Sequence, residues 1–312
     1  MPTYILSRLS QSLLTLLLIT LLTFVVAQLA PGSPFGLDDP DQAARVPQEM
    51  RDHYRQLYGL DRPLPVQYLS WLGRLLQGDL GVSYTYRNES VQAVLARAWP
   101  ISIRLGLTAL LLAVGLGVPL GVVAATRRGR PLDHLSRGLA LFGAATPVYV
   151  LATLAVLLFT VHWRVVPLTG AAGPARILAP AVVLALGPLA VLLRYTRAAT
   201  LEVLSADFVR TAHAKGLRSR QVVAGHVLRN ALLPVLTLAG PLAAALLGGS
   251  FFVETIFNLP GLGATFVSAA ANRDYPLLMA GALLSGSLII LLNLAVDLGY
   301  SLLDPRIRLE PA

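Results

Sequence analysis

An all-α membrane protein crossing the bilayer six times is the fold this sequence predicts, on three observations. Hydrophobic residues make up 55% of its 312 positions and charged residues only 13%. The apolar residues gather in runs, and a net charge of +9 falls almost wholly in alternate connections between them. A soluble domain of this length could not carry that much apolar surface. A run of about 20 residues, rising 1.5 Å each, crosses a hydrocarbon layer of about 30 Å, and Lys and Arg collect in the cytoplasmic connections. The sequence has no cysteine, so neither a disulfide frame nor a thiolate metal site is available.

The first run, Leu9 to Ala30, follows Arg8 and stops at Pro31-Gly32. A cleaved signal peptide has a shorter apolar stretch and an Ala-x-Ala site, so this run reads as a retained span with its N-terminus in the cytoplasm. Residues 31–99 form the one long hydrophilic insert, whose seven Arg and eight acids suit the external side. Its Asp-rich start, Asp38 to Pro47, is expected to matter less than Tyr68 to Gly81. Further on, Tyr68, Leu69, Leu72, Leu75 and Leu76 recur at helical spacing and Gly78-Asp79-Leu80-Gly81 breaks the pattern into a turn. That segment reads as an amphipathic helix on the outer membrane surface.

The second span runs from Ile101 to Ala125, with Pro119 as a kink and Gly115, Gly117 and Gly121 open to close helix contact. Arg104, a turn inside its outer end, either snorkels to the interface or faces the pathway. Arg127 to Arg137, with four Arg and one Asp, is a cytoplasmic loop. A third span, Gly138 to Trp163, contains Pro147, and Arg164 to Arg176 returns outside. The fourth, Ile177 to Leu193, holds Pro180 and Pro188, whose freed carbonyls neighbouring helices must cover. The fifth runs from Ala231 to Val253 and the sixth from Pro276 to Leu303. Summed by side, the inside segments hold the whole net charge and the outside ones cancel, so basicity here reports topology and leaves no case for nucleic acid.

The strongest inside signal is Arg194 to Arg229, with seven Lys or Arg against Glu202 and Asp207. At its centre stands Ala206-Asp207-Phe208-Val209-Arg210-Thr211-Ala212-His213-Ala214-Lys215-Gly216-Leu217. The spacing predicts a helix with Leu201, Leu204, Phe208 and Ala212 along one side, stopped by Gly216. A second short helix follows, with Ser219 as cap and Val222, Val223, Val227 and Leu228 buried. Helix, glycine and helix at a membrane surface make a knob for docking a soluble partner.

Chemistry is sparse. The sequence contains no Gly-x-x-x-x-Gly-Lys-Ser/Thr phosphate loop, and the histidines (53, 134, 162, 213 and 226) have no metal-ligand spacing and no catalytic motif. The reading is therefore a non-enzyme without a metal or cofactor of its own. The intramembrane polar candidates are Asn293 and Asp297 in the last span and Glu254 near an outer end. No row of acids or histidines suggests proton coupling, which counts against the alternative of a secondary transporter or channel.

The central segment, with Arg210-Thr211-Ala212 six residues ahead of Gly216, resembles the coupling loop of bacterial ABC importer permeases, although the family's leading Glu is absent. The form Arg-Thr-Ala-x-Ala-Lys-Gly-Leu, followed by His226-x-Leu228-Arg229-Asn230-Ala231-Leu232-Leu233-Pro234, is similar to the dipeptide, oligopeptide and nickel branch. Arg229, where many importers have Pro, matches the B-type subunit with a long first external loop. So do Tyr58-Gly59-Leu60-Asp61-Arg62-Pro63, Trp71-Leu72 and Gly78-Asp79-Leu80-Gly81-x-Ser83 in the insert. Glu254-Thr255-Ile256-Phe257-Asn258-Leu259-Pro260-Gly261-Leu262-Gly263 resembles the family's external turn or gate, and Asp304-Pro305-Arg306-Ile307-Arg308 its ending.

The resemblance implies a permease subunit in the bacterial or archaeal inner membrane, both termini cytoplasmic. Residues 1–30 would hold the head and first span, 31–99 the external insert, and 100–312 a five-helix core with coupling loop 194–230. It also implies partners: a second homologous permease, two ATP-binding subunits holding ATP and Mg, and an extracytoplasmic solute-binding protein. Residues 207–217 would meet the ATPase, with Phe208 and Ala212 on the docking face. Members of the family carry dipeptides, oligopeptides, nickel or glutathione.

Overall fold

The structure, a computed structural model, describes residues 2–30, 49, 59–86, 89–165 and 174–303. The Asp-rich start of the insert and the tail from Asp304 lie outside these residues. Among those described the fold is helical: α1 (Pro2–Leu29), α2 (Leu64–Leu76), α3 (Val91–Thr126), α4 (Pro131–Ala145), α5 (Val148–Ala155), α6 (Pro174–Leu204), α7 (Asp207–Ala214), α8 (Ser219–Val222), α9 (Leu228–Ala231), α10 (Leu233–Leu247), α11 (Phe251–Ile256), α12 (Leu262–Ala271) and α13 (Tyr275–Leu303). Two π-helical stretches, Val156–His162 and Val223–Val227, continue α5 and join α8 to α9.

Five stretches are long and apolar enough to cross a membrane: Arg8–Leu29, Val91–Thr126, Arg176–Leu204, Leu233–Ile256 and Tyr275–Ala295. A bent pair, α4 with α5 and its π extension, is apolar enough when its two helices are taken together and is turned by 101° between them. The third span expected over Gly138 to Trp163 falls on this pair, and the bend comes at Pro147. Pro147 has no N–H to continue the ladder, and the residue before it, Thr146, takes an extended backbone (φ −90, ψ 122).

The helices fall into two compact units, Met1–Ile101 with Pro260–Ile290 and Ser102–Leu259 with Leu291–Ile307. In the first, Val91, Val94 and Leu95 of α3 are buried with Leu262 and Ala269 of α12 and Leu277 and Leu278 of α13. Apolar residues therefore carry α3 some ten residues beyond the start expected at Ile101. Arg104, 22 residues before Thr126, stands roughly 33 Å from it along the helix and is exposed.

On α2, Tyr68, Trp71, Leu72 and Leu75 pack with Phe24 of α1 and Met279 of α13, and the Tyr68 hydroxyl lies 3.0 Å from Thr20 Oγ1. Leu69 and Leu76, expected on the same face, point outward. The turn after α2 forms as expected: Gly78 and Gly81 have φ of 78° and 89°, and the Gly81 N–H donates to Asp79 Oδ1 at 2.8 Å.

The second unit is built around α6, whose Ala181, Ala185, Ala190, Leu192, Leu193, Thr196 and Thr200 are buried. α3 lies close against it at Gly121, where an added Cβ would stand 2.7 Å from Thr196 Cβ and 2.8 Å from the Leu193 carbonyl oxygen. α4 runs antiparallel along the same helix. Gly143 touches the Leu186 backbone near one end, and Asp133 meets Arg197 near the other.

Candidate functional site

Three turns beyond the apolar part of α6 the chain becomes polar and folds into the expected knob. Ala206, extended at ψ 149, starts α7, and the helix ends as its sequence dictates. Gly216 takes φ +80, where a side chain would be strained. The Gly216 N–H donates to the His213 carbonyl at 2.9 Å and the Leu217 N–H to the Ala212 carbonyl at 3.3 Å, the paired bonds of a Schellman stop. Ser219 is the first helical residue of α8 rather than its cap. That place is taken by Arg218, whose N–H donates to Gln221 Oε1 at 3.0 Å.

The knob has a core of its own: Val209, Ala212, Val222, Val227 and Ala231 are buried together, with Ala199, Val203, Leu204 and Leu217 packed against them. Ala212 therefore faces inward, not toward a partner, and Val209 rather than Phe208 is its neighbour on the buried side. Phe208 keeps 45% of its surface exposed. The outward arc is Asp207, Arg210, Thr211 and Ala214, with His213, Lys215 and Gly216 exposed beside it. The Asp207 and Arg210 side chains, 96% and 78% exposed, make only a 3.5 Å contact with one another. At such exposure the pair is worth about 1 kcal/mol at most, which leaves both charges available to another surface.

A buried ion pair underlies the knob. Asp133, 1% exposed, accepts from Arg197 Nε at 2.7 Å, from the second Arg197 nitrogen at 3.0 Å and from the Gly129 N–H at 3.0 Å. The paired, charge-assisted geometry ties the loop after α3 to the end of α6 from which the knob projects. Sequence reading passed over this pair; the available signal was a single Asp among four Arg in the loop 127–137.

The residues of the proposed external turn are buried in part. Glu254 is fully buried, accepting from Ser102 Oγ at 2.7 Å and from the Ser250 N–H at 3.2 Å, and Phe257 is 3% exposed. Arg176 at the start of α6 donates to the Asn258 carbonyl at 2.9 Å. Pro260 is exposed, while Gly261 and Gly263 are buried at the beginning of α12. Asn293 is exposed on α13, and Asp297 lies in that helix beyond the residues whose side chains are described. The structure thus gathers residues 207–217 into one small body and leaves the other candidates in separate places.

Helices long and apolar enough to cross a membrane, together with a polar, independently packed knob, define a class: a multi-pass membrane protein. Sequence comparison fixes the family. Residues 117–309 match the binding-protein-dependent transport system inner membrane component model, and residues 1–106 match the N-terminal model of such membrane components. The chain belongs to this family of ABC importer permeases.

It is 40% identical over 310 residues to the dipeptide transport system permease protein DppB of Bacillus subtilis, covering 99% of each chain. It is likewise 40% identical over 309 residues to the oligopeptide transport system permease protein OppB of Escherichia coli, covering 98% of this chain and 99% of that one. Among solved structures, one of inward-facing conformations of the MetNI methionine ABC transporter shares the fold. The TM-score is 0.57 at 19% identity, over 68% of this chain and 97% of that one.

Proposed function

We propose that this chain is the permease subunit of an ATP-driven, binding-protein-dependent importer of dipeptides or oligopeptides. It forms the solute passage with a second, homologous permease. Two ATPase subunits, holding ATP and Mg, dock beneath it on residues 207–217, and an extracytoplasmic solute-binding protein docks above. Both termini face the cytoplasm. The observation that carries the reading is the knob: a helix closed by Gly216, with its apolar side spent on an internal core and its charged side left free. A body of that kind can pass motion between a soluble domain and the helix on which it stands. The peptide cargo is supported by the names of relatives matched along nearly the whole chain.

The test is co-purification of the ATPase subunits together with peptide uptake in the same membranes, with single cysteines placed at Asp61 and Lys215 of this cysteine-free sequence. Labelling of position 61 from outside and of position 215 only from inside is the expected outcome. Outside labelling of position 215 in intact cells, or peptide uptake independent of ATP, overturns the reading.

A further inference from the structure

On the outer side of the first unit lies a cavity of about 260 Å³ whose walls include Arg62, Gln67, Ser70, Trp71, Arg74 and Tyr275. Gln67, Ser70, Trp71 and Arg74 stand at i, i+3, i+4 and i+7 and so share one face of α2. No carboxylate is among the described residues lining it, and neither Arg62 nor Arg74 forms an ion pair with a described acid. The Gln67 amide N–H group is already committed to the Leu60 and Arg62 carbonyls, at 3.4 and 2.8 Å. Among the described residues, what remains is a pocket walled by two arginines with no anion of its own, so the occupant it fits is an oxyanion.

Depth and surroundings select the source. Phe24 of α1, on the cavity wall, is five residues short of that helix's end at Leu29, roughly 8 Å from it. Leu64, Val66, Leu69 and Leu76 of the same helix are exposed, as are Leu22, Val25, Val26 and Leu29 of α1. With α1 oriented as proposed above, α2 lies along the outer leaflet and leaves these apolar side chains open to lipid. Tyr275 also lines a second cavity of about 350 Å³, an apolar groove bounded by Leu22, Val26, Phe266 and Leu278 with Arg273 on its wall. A soluble anion has no use for such a groove; an acyl chain does.

We propose that the Arg62–Arg74 cavity binds the phosphate of an outer-leaflet phospholipid headgroup. The proposal rests on the placement of α1 and α2 in the membrane and not on the peptide reading, so the two can fail separately. The test is native mass spectrometry of the full chain, purified with its partner subunits in mild detergent and titrated with phosphatidylglycerol. Retention by the wild type and a loss on the order of thirtyfold in the Arg62→Gln, Arg74→Gln double variant are expected. Arg97→Gln, at an arginine that pairs with Glu89 away from the cavity, should bind as the wild type does. Unaltered lipid binding by a double variant of unaltered melting temperature overturns the proposal. The wild type supplies a second arm that needs no variant. Displacement of the lipid by inorganic phosphate at equal concentration identifies a site for free anions instead, and displacement by a dipeptide identifies one for peptide carboxylates; either result overturns the lipid assignment.

Discussion

The acids of the knob and those at Glu254 and Asp274 look alike in sequence, as polar residues in short connections between apolar runs, but the fold uses them in opposite ways. Asp207 and Arg210 are almost wholly exposed and are held by little except each other. Glu254 and Asp274 are fully buried, and each is surrounded by donors. Asp274 accepts from Ser83 Oγ, from the Thr85 N–H at 3.0 Å and from the Leu277 N–H at 3.2 Å, so one carboxylate both caps α13 and fastens the turn after α2. A displayed charge is free to meet a partner, whereas an enclosed one holds its own chain together. Substitution should therefore affect binding at the first kind of site and folding at the second.

The largest effect is expected at Asp274. Asp274→Ala removes an acceptor from three donors, at about 1 to 3 kcal/mol for a group left buried and unsatisfied, and several kcal/mol in all. Membrane-embedded protein should fall steeply, and protease should cut the outer segment in what remains. Recovery at wild-type level with a protected outer segment would break the contrast at its stronger end. Next is Ala212→Asp, which places a charge in the knob core among Val209, Val222 and Val227; an unpaired buried charge costs several kcal/mol. Here the spans should still insert, while proteolysis opens the chain between α6 and α9 and the ATPase subunits no longer co-purify.

Gly216→Val is a smaller disturbance, about 1 to 2 kcal/mol for a side chain forced into the left-handed region. The surroundings are open, with nothing within 4 Å of an added Cβ, so the strain lies in the backbone alone. Gly216→Asn, which tolerates positive φ better, should restore most of the uptake that Gly216→Val loses. Equal loss in both would mean that the glycine is needed for something other than its backbone angle.

How far the sequence foretold this depended on which physical signal each feature leaves. Spans are written in hydropathy, so the helical membrane fold and the polar segments between its runs could be read directly. The stop at Gly216 was equally legible, because only glycine adopts that backbone without strain. The bend at Thr146-Pro147 was visible as a proline but not as a turn of 101°, since the angle is set by what α4 packs against. The π-helical stretches 156–162 and 223–227 have no composition of their own. Within the site, periodicity placed Phe208 and Ala212 on one side of α7 but could not say which side was buried. α8 and α9 decide that, through Val222, Val227 and Ala231. The Asp133–Arg197 pair joins residues 64 apart, a distance over which a pattern in one sequence carries no pairing information.

The smallest effect on the fold is the most informative about the knob. Arg210 is 78% exposed and its contact with Asp207 is weak, so Arg210→Glu should change stability by about 0.5 kcal/mol or less. Melting temperature, membrane level and resistance to protease should all match the wild type. If α7 docks by its outward arc, however, reversal of that charge sets like against like across the contact, a penalty of several kcal/mol that suppresses association with the ATPase. Uptake and co-purification should fall together, while the isolated chain behaves normally. Asp207→Lys, at the exposed neighbour, is the companion variant and should also leave the fold intact. A partner surface carrying a complementary acid near Arg210 could be found by charge-reversing variants of the ATPase that restore binding to Arg210→Glu and not to Asp207→Lys. If Arg210→Glu retains full ATPase binding and full uptake, the exposed arc of α7 is a solvated surface. Docking would then have to be sought elsewhere in the segment 194–230, and the contrast between displayed and enclosed charge would no longer separate binding from folding.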